Sequence, residues 1–583
     1  MTVKLKEKID RLLADEVRLL SGSHNRSAYP QVALGYPNIY QLGMSNLGFQ
    51  SIYSCLLQAG IDCERFFLPE KKDLAVYQKK SIPFFSWESK IPLKNFAVVA
   101  FSLSFELDYL NLLQILNLAG IDFYSQERSE NQPLIVAGGP CAFFNPEPLA
   151  EIVDVFFIGE GEEITSDFLH QYLAAYEAGM KKDDILKQLS SLPGVYIPAF
   201  YQVIYNSRGL IEKRDKVFAK APDHIERQWV RELDKYETES VILTPNTQFG
   251  DMYLTEISRG CGRHCRFCMA GFSYRPPRFR SLDRVWQSVS KGLSLKNKIG
   301  LVGAAISDYP EIDTLCAKIA ARGGEISVSS LRVDSLTETL LQSVVKSGSR
   351  SITIAPEAGS ERLRRVINKG ITAEAIYKMV PLFNKYQIPQ IKLYFMLGLP
   401  TEEERDLEEM IILAVKLRDS LTYKGRKKII LGVTPFVPKP FTPFQWSAME
   451  QVKDLEKKIK YLQKRVNQEP GLFLNYESPR MAALQGILAR GDRRLGSVLA
   501  ENYASTSLGV YKRALEDRGL SLDFYLYRKR DELEKFPWDF LLTGVNRYYL
   551  WQEMKKALKE EYTAICQPER CRRCGVCKGE RNE

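Results

Sequence analysis

Seven of the chain's eleven cysteines fall in two short segments, and these are where chemistry is most legible. The run RGCGRHCRFCMAG holds Cys261, Cys265 and Cys268 with the spacing C-x3-C-x2-C. Three thiolates from one loop can each hold one iron of a [4Fe–4S] cube, for which thiolate is the usual ligand. Three ligands for four irons leave one iron open to a chelating molecule. Zinc is the alternative, but structural zinc sites are closed by four ligands. His264 stands between two of the cysteines and is expected to point elsewhere. Phe267 just before the last cysteine, and an apolar strand pattern before the loop, also argue against zinc. The second segment, CQPERCRRCGVC, spaces Cys566, Cys571, Cys574 and Cys577 as C-x4-C-x2-C-x2-C. Four thiolates so close make a closed metal site, which suits either structural zinc or a second cluster that relays electrons or donates sulfur. Cys55, Cys63, Cys141 and Cys316 are isolated and are read as small buried hydrophobes.

The elements that must position these groups alternate between strand-like and helix-like patterns. Residues 1–25 read as a charged helix. Strands are expected at 31–37, 96–104, 133–139 and 153–163, with helical spacing between them, for example at 47–60. That alternation predicts a doubly wound parallel α/β domain over 1–184, with ligands at the strand carboxyl ends near 36–38, 102–104, 138–140 and 159–161. Residues 185–245 read as a connector. From 246 to 447 six strand patterns recur, at 252–258, 299–306, 325–332, 351–357, 391–400 and 428–437. Six βα units predict a partial barrel whose site lies at the strand carboxyl ends. Residues 448–583 read as a basic helical region ending in the four-Cys segment.

At 583 residues the chain is too long for one core. Its 81 Lys+Arg against 71 Asp+Glu give a mild excess of +10, compatible with an anionic substrate or RNA without demanding either. The charged start MTVKLKEKIDRLLADEVRLL has no apolar core of a signal peptide. No run approaches the apolar length of a membrane span, so a cytoplasmic protein with no membrane partner is expected. There, clustered cysteines indicate metal rather than disulfides. Arg259, Arg263, Arg266, Arg275, Arg278 and Arg280 crowd the first cysteine loop. They would grip an anion, or pair with acidic residues, the commoner fate.

C-x3-C-x-aromatic-C after a first barrel strand resembles the radical S-adenosylmethionine (SAM) superfamily over roughly residues 250–445. The resemblance implies that Cys261, Cys265 and Cys268 hold a [4Fe–4S] cluster whose open iron binds SAM. An electron from the cluster would then break the sulfonium C–S bond and release a 5′-deoxyadenosyl radical. It also implies a SAM pocket at consecutive strand ends: Ser330 and Arg332 after strand three, Glu357, Gly359 and Ser360 after strand four, and Gly398 and Pro400 after strand five. An electron donor such as flavodoxin or ferredoxin is implied as a partner.

An α/β domain before such a barrel is similar to the cobalamin-binding branch of that superfamily. The branch's fingerprint, Asp-x-His-x-x-Gly, then Ser-x-Leu, then Gly-Gly, is only partly present. Gly43 and Ser45 stand where Asp and His belong, followed by Gly48. Ser102 and Ser104 flank Leu103, and Gly138 and Gly139 supply the last part. No histidine is available for cobalt, since His24, His170 and His224 lie outside these loops. The resemblance implies cobalamin bound without a protein imidazole and methylation of an unactivated carbon, with two alternatives. One is a domain that kept the fold without the cofactor; the other is RNA modification of the methylthio type.

Overall fold

The structure is a computed structural model that describes residues 3–20, 31–80, 82–329 and 331–577. Ser330 and His24 lie outside the described residues. The chain forms two compact units.

The first unit is built on a six-stranded sheet. Its strands are β1 (Val32–Tyr36), β2 (Cys63–Phe67), β3 (Val98–Ser102), β4 (Leu134–Gly138), β5 (Val155–Phe157) and β6 (Val195–Tyr196). They run in the order β2-β1-β3-β4-β5-β6, all parallel except β6. Runs such as VALGY and VVAF are buried along their whole length, as strands covered on both faces must be. The four expected strands are there, and two more join them. Strand β2, CERFF, escapes a hydrophobicity reading because it carries Glu64 and Arg65. Both are buried, Arg65 between Glu16 at 2.7 Å and Glu88 at 2.8 Å. The sheet order reverses between β1 and β3, the switch point at which doubly wound folds bind ligands.

The expected divisions at 184, 245 and 447 do not coincide with the units. The first unit keeps 1–251, so the segment read as a connector belongs to it, and it also takes in 488–519 and 533–543. Buried polar groups account for this return of the chain. Asn145 donates to the Ala489 and Gly491 carbonyls at 3.1 and 2.8 Å. Arg493 reaches Glu147 at 2.9 Å, and residues 225–226 pair in parallel with 541–542. The expected first helix is shorter, Val3–Ala14, and is followed by a two-residue strand, Val17–Arg18, on Ile242–Leu243.

The second unit carries parallel strands β7 (Met252–Glu256), β8 (Lys298–Val302), β9 (Glu325–Ser327), β10 (Ser351–Glu357), β11 (Gln390–Leu397), β12 (Lys428–Pro435) and β13 (Leu472–Tyr476). They form two stretches, β7-β8-β9 and β10-β11-β12-β13, joined by one bridge between Leu331 and Ile354. All six expected barrel strands form. The seventh, β13, comes from the region read as helical. Before it, helix Val452–Asn467 buries Leu455, Ile459, Leu462 and Val466, a stripe at helical spacing that docks on the sheet. Among the described residues no helix is long and apolar enough to cross a membrane.

Candidate active site

The three-cysteine loop leaves the carboxyl end of β7 and is closed at its base by Ser258–Arg259 pairing with Arg278–Phe279. Gly260 sits in that base with φ 78°, where a Cβ would lie 2.2 Å from the Tyr274 carbonyl oxygen, so only glycine fits. Cys265 is buried, and Cys261 and Cys268 are partly so. The Arg263 amide donates to the Cys261 sulfur at 3.4 Å, and the Cys268 sulfur accepts from the backbone of Gly271 and Ala270. Burial, with the neighbouring Cys265 and Cys261, pushes the Cys268 thiol up to about 12. Three thiols that act on one another electrostatically, two of them met by backbone N–H groups, fit a cluster whose irons take up thiolate charge. Among the described residues no three potential ligands converge as a single metal ion requires.

The arginines around the loop serve the protein rather than an external anion. Arg259 and Arg280 both bind Glu256, at 2.9 and 2.8 Å, and hold its carboxyl low although burial alone would raise it. Arg263 reaches Asp308 at 2.7 Å and Asp334 at 2.9 Å. Arg266 is fully buried against Glu553 at 3.2 Å. Arg275 donates to His264 Nδ1 at 2.8 Å, as does the Tyr549 hydroxyl at 2.7 Å. Burial and then Arg275 depress the His264 pKa to about 2, so its ring is neutral. The Nδ1 of His264 is thus taken up by Arg275 and Tyr549.

The expected pocket residues divide. Arg332 lies within electrostatic reach of Cys265 and Cys261, donating to Asp334 at 2.9 Å and to the Lys369 carbonyl at 3.1 Å. Glu357 ends β10 with φ 66°, and its carboxylate meets Lys369 Nζ at 3.1 Å. Nothing in the sequence marked Lys369, which a helix end places there. Gly398 turns with φ 79°, its amide fixed by the Glu402 carboxylate at 2.5 Å, and Pro400 follows in the same turn. Burial raises the Glu402 pKa to about 7 against the pull of Lys458. Three other residues are engaged by the fold. Ser360 caps helix Glu361–Val366 through the Leu363 amide at 3.0 Å and donates to Asp406. A Cβ on Gly359 would lie 2.2 Å from the Asp406 carbonyl oxygen, so that glycine answers to helix packing. Phe267 packs against the cluster of Ala358, Leu363, Ile367 and Phe444.

At the switch point of the first unit, Ser102 pairs with Gly138 and the Leu103 amide bonds the Gly138 carbonyl at 2.8 Å. Gly139 has φ 96° and touches the Leu103 backbone, where a Cβ would come within 2.8 Å. Ser104 accepts from Asn46 at 3.3 Å, and Asn38 donates to Asp108 at 2.8 Å. Burial pushes the Asp108 carboxyl up to about 6 despite the Asn38 and Asn111 amides that donate to it. Ser45 is turned away: its hydroxyl donates to the Gln41 carbonyl at 2.6 Å and accepts from the Gln248 amide at 3.0 Å. Gly48 lies within helix Leu47–Gln58, behind its Asn46 cap. His170 bonds the Ala59 carbonyl at 2.9 Å, and His224 is exposed. The amide, hydroxyl and glycine groups fit a polar ligand tail, and Ser45 offers no imidazole.

A partial parallel barrel with three clustered thiols at the end of its first strand defines a radical SAM protein, and the chain belongs to that superfamily. The family model described as "Radical SAM superfamily" matches residues 255–414, and "Radical SAM proteins, N-terminal" matches 48–198. The chain is 33% identical over 488 residues to uncharacterized protein MJ0966 of Methanocaldococcus jannaschii, covering 82% of this chain and 96% of that one. It is 22% identical to a tRNA-2-methylthio-N(6)-dimethylallyladenosine synthase of Wolbachia pipientis, over 34% of this chain and 46% of that protein. Among solved structures, it is similar to the radical SAM methyltransferase TsrM of Kitasatospora setae with cobalamin and a [4Fe–4S] cluster bound. That likeness has 13% identity and a TM-score of 0.49, over 83% of this chain and 99% of that one.

Proposed function

We propose that this enzyme cleaves SAM reductively at a cluster held by Cys261, Cys265 and Cys268 and methylates an unactivated carbon with the help of cobalamin on its first unit. The observation that carries the reading is the gathering of the three thiols with Arg332 and the Glu357–Lys369 pair at neighbouring strand ends. The cluster, when bound, supplies the electron that opens the sulfonium bond of SAM, and cobalamin supplies a transferable methyl group. The chain's own part is binding and orientation. Glu357 would accept from the SAM ammonium, and Lys369, now its counter-ion, would share the SAM carboxylate with Arg332. The Gly398–Pro400 turn, pinned by Glu402, would hold the adenosine against backbone rather than side chain. Cobalamin would sit at the β1/β3 switch point with Ser102, Ser104, Gly138 and Gly139 at its tail and no imidazole on cobalt. A low-potential flavodoxin or ferredoxin would supply the electrons.

The test is protein made anaerobically with cobalamin supplied, reconstituted with iron and sulfide, and assayed with SAM and a reductant. Near-stoichiometric cobalamin together with 5′-deoxyadenosine formation is expected. Intact barrel iron with no bound cobalamin would overturn the methyl-transfer part. Loss of 5′-deoxyadenosine in the wild type would overturn the whole. A second reading, an RNA substrate, is supported by the likeness to a tRNA-modifying synthase. Salt-sensitive tRNA binding by the intact chain would favour it.

A further inference from the structure

The C-terminal cysteines lie against the first cysteine loop. The Cys566 amide donates to the Gly262 carbonyl at 2.8 Å, and Gly262 immediately follows Cys261. A Cβ on Gly262 would stand 3.6 Å from the Cys566 carbonyl oxygen and 3.8 Å from the Cys566 Cβ, so the two backbones are in direct contact. Around Cys566 stand Cys571, Cys574 and Cys577, near enough to act on it electrostatically. Cys574 and Cys577 are buried.

This docking is built rather than incidental. Asn368 donates to the His264 carbonyl at 3.1 Å and to the Thr563 carbonyl at 3.0 Å, and accepts from the Thr563 amide at 2.8 Å. One buried amide therefore clamps the cluster loop and the tail together. Arg266, from the loop, donates to the Glu561 carbonyl at 2.7 Å and to Thr563. The Asn546 amide bonds the Cys574 carbonyl at 2.8 Å, closing the far side. Positive charge faces the sulfurs: Arg573 Nε donates to Cys571 Sγ at 3.2 Å, and Arg275 acts on both Cys566 and Cys571. Arg275 also bonds His264, the residue just before Cys265, as does Tyr549, which lies beside Cys574.

We propose that Cys566, Cys571, Cys574 and Cys577 hold a second [4Fe–4S] cluster that passes electrons from an external iron–sulfur or flavin protein into the SAM-cleaving centre. The neighbouring cysteine loop favours a cube over zinc. Zinc draws four sulfurs to about 2.3 Å from one point, whereas a cube spreads its thiolates over separate irons. Set against the SAM-cleaving loop, a redox-active cube has work to do that zinc, which has no redox chemistry, cannot do. The location favours a redox role over a structural one. A structural knot can sit anywhere on the tail, but this one is joined to the first loop through a single peptide unit and one hydrogen bond. The arginines balance the extra negative charge of a reduced cluster. The balance is simple: the donor loses one electron, the tail cluster gains and then loses it, and the barrel cluster gains it, with no bond made and no proton moved. The relay rests on the reading of the barrel as a SAM-cleaving centre, but the existence of the tail cluster does not.

The experiment uses the full chain, reconstituted anaerobically with iron and sulfide in the presence of zinc. A Cys261→Ala, Cys265→Ala, Cys268→Ala variant should keep about four irons and an iron–sulfur chromophore on the tail. Zinc in place of iron there would overturn the proposal whatever the barrel does. In the reduced wild type, each cluster's electron paramagnetic signal should relax faster than in protein carrying one cluster, a readout that needs no variant to fold. Two independent, uncoupled signals would overturn the relay. In Cys574→Ala, Cys577→Ala protein, the ratio of 5′-deoxyadenosine made with flavodoxin to that made with dithionite should fall about tenfold or more. An unchanged ratio would also overturn it, while loss of product with both reductants in the wild type would count against the barrel reading instead.

Discussion

Replacing Arg266 by Met tests how the cysteine loop is held. Arg266 is fully buried and donates to the Arg365, Val366 and Glu561 carbonyls at 2.9, 3.0 and 2.7 Å, as well as to Glu553 and Thr563. Glu553 is also fully buried, and without Arg266 its charge is left with Thr563 and with Lys556 at 3.0 Å. Breaking one side of a buried pair costs about 3–5 kcal/mol. Lys556 offsets part of this and the three orphaned carbonyls add to it, so about 4 kcal/mol is expected for the second unit. Urea unfolding of the metal-free protein, followed by tryptophan fluorescence, reads this unit through the Trp446–Trp551 pair, whose rings are 5.0 Å apart. Arg266→Met, Glu553→Met should recover at least about 1 kcal/mol, because two apolar side chains replace an ion pair at similar volume. Arg266→Lys should also be destabilising, since an ammonium cannot span the same carbonyl fork. A cost below about 1 kcal/mol for Arg266→Met, or a double variant no more stable than the single one, would refute the reasoning.

Three further outcomes are expected. Asp108→Asn should stabilise the first unit at neutral pH. The folded pKa, about 6, lies above the ordinary value of 3.8, so the wild type loses stability as pH rises through that window, by roughly 3 kcal/mol in all, while the Asn variant does not. Paired urea titrations at pH 4 and pH 7.5 check this. Gly359→Ala should destabilise by about 2–4 kcal/mol, because the new Cβ meets backbone of helix Glu404–Ser420 at Asp406 and Met410 rather than a side chain that can swing away. A thermal melt reads it. Glu357→Gln should raise the KM for SAM about tenfold, equivalent to roughly 1.4 kcal/mol, with iron content unchanged, since the carboxylate facing Lys369 is what would receive the SAM ammonium.

What the sequence determined by itself is local and periodic. The spacing of Cys261, Cys265 and Cys268 sets three thiols in one loop whatever surrounds them. Continuous apolar runs announced four strands of the first sheet, which are buried on both faces, and strand patterns announced the six expected strands of the barrel, where burial alternates along Ser351–Glu357 and Gln390–Leu397. Tertiary structure decided what pairs across distance. Strand β2 was hidden by Glu64 and Arg65, buried because Ser86 and Ser89 donate to Glu64 while Glu16 and Glu88 pair with Arg65. Strand β13 was hidden inside a helical region, and its place depends on the edge of β12. The arginines of the cysteine loop looked equally able to grip an anion or to pair internally. Only packing supplied Glu256, Asp308, Asp334 and Glu553 as their partners. The same holds for the two cysteine sets: each is legible in the sequence, but their contact through Cys566 and Gly262 spans some three hundred residues, and no local pattern encodes a hydrogen bond made only after the barrel has closed and the tail has returned to it.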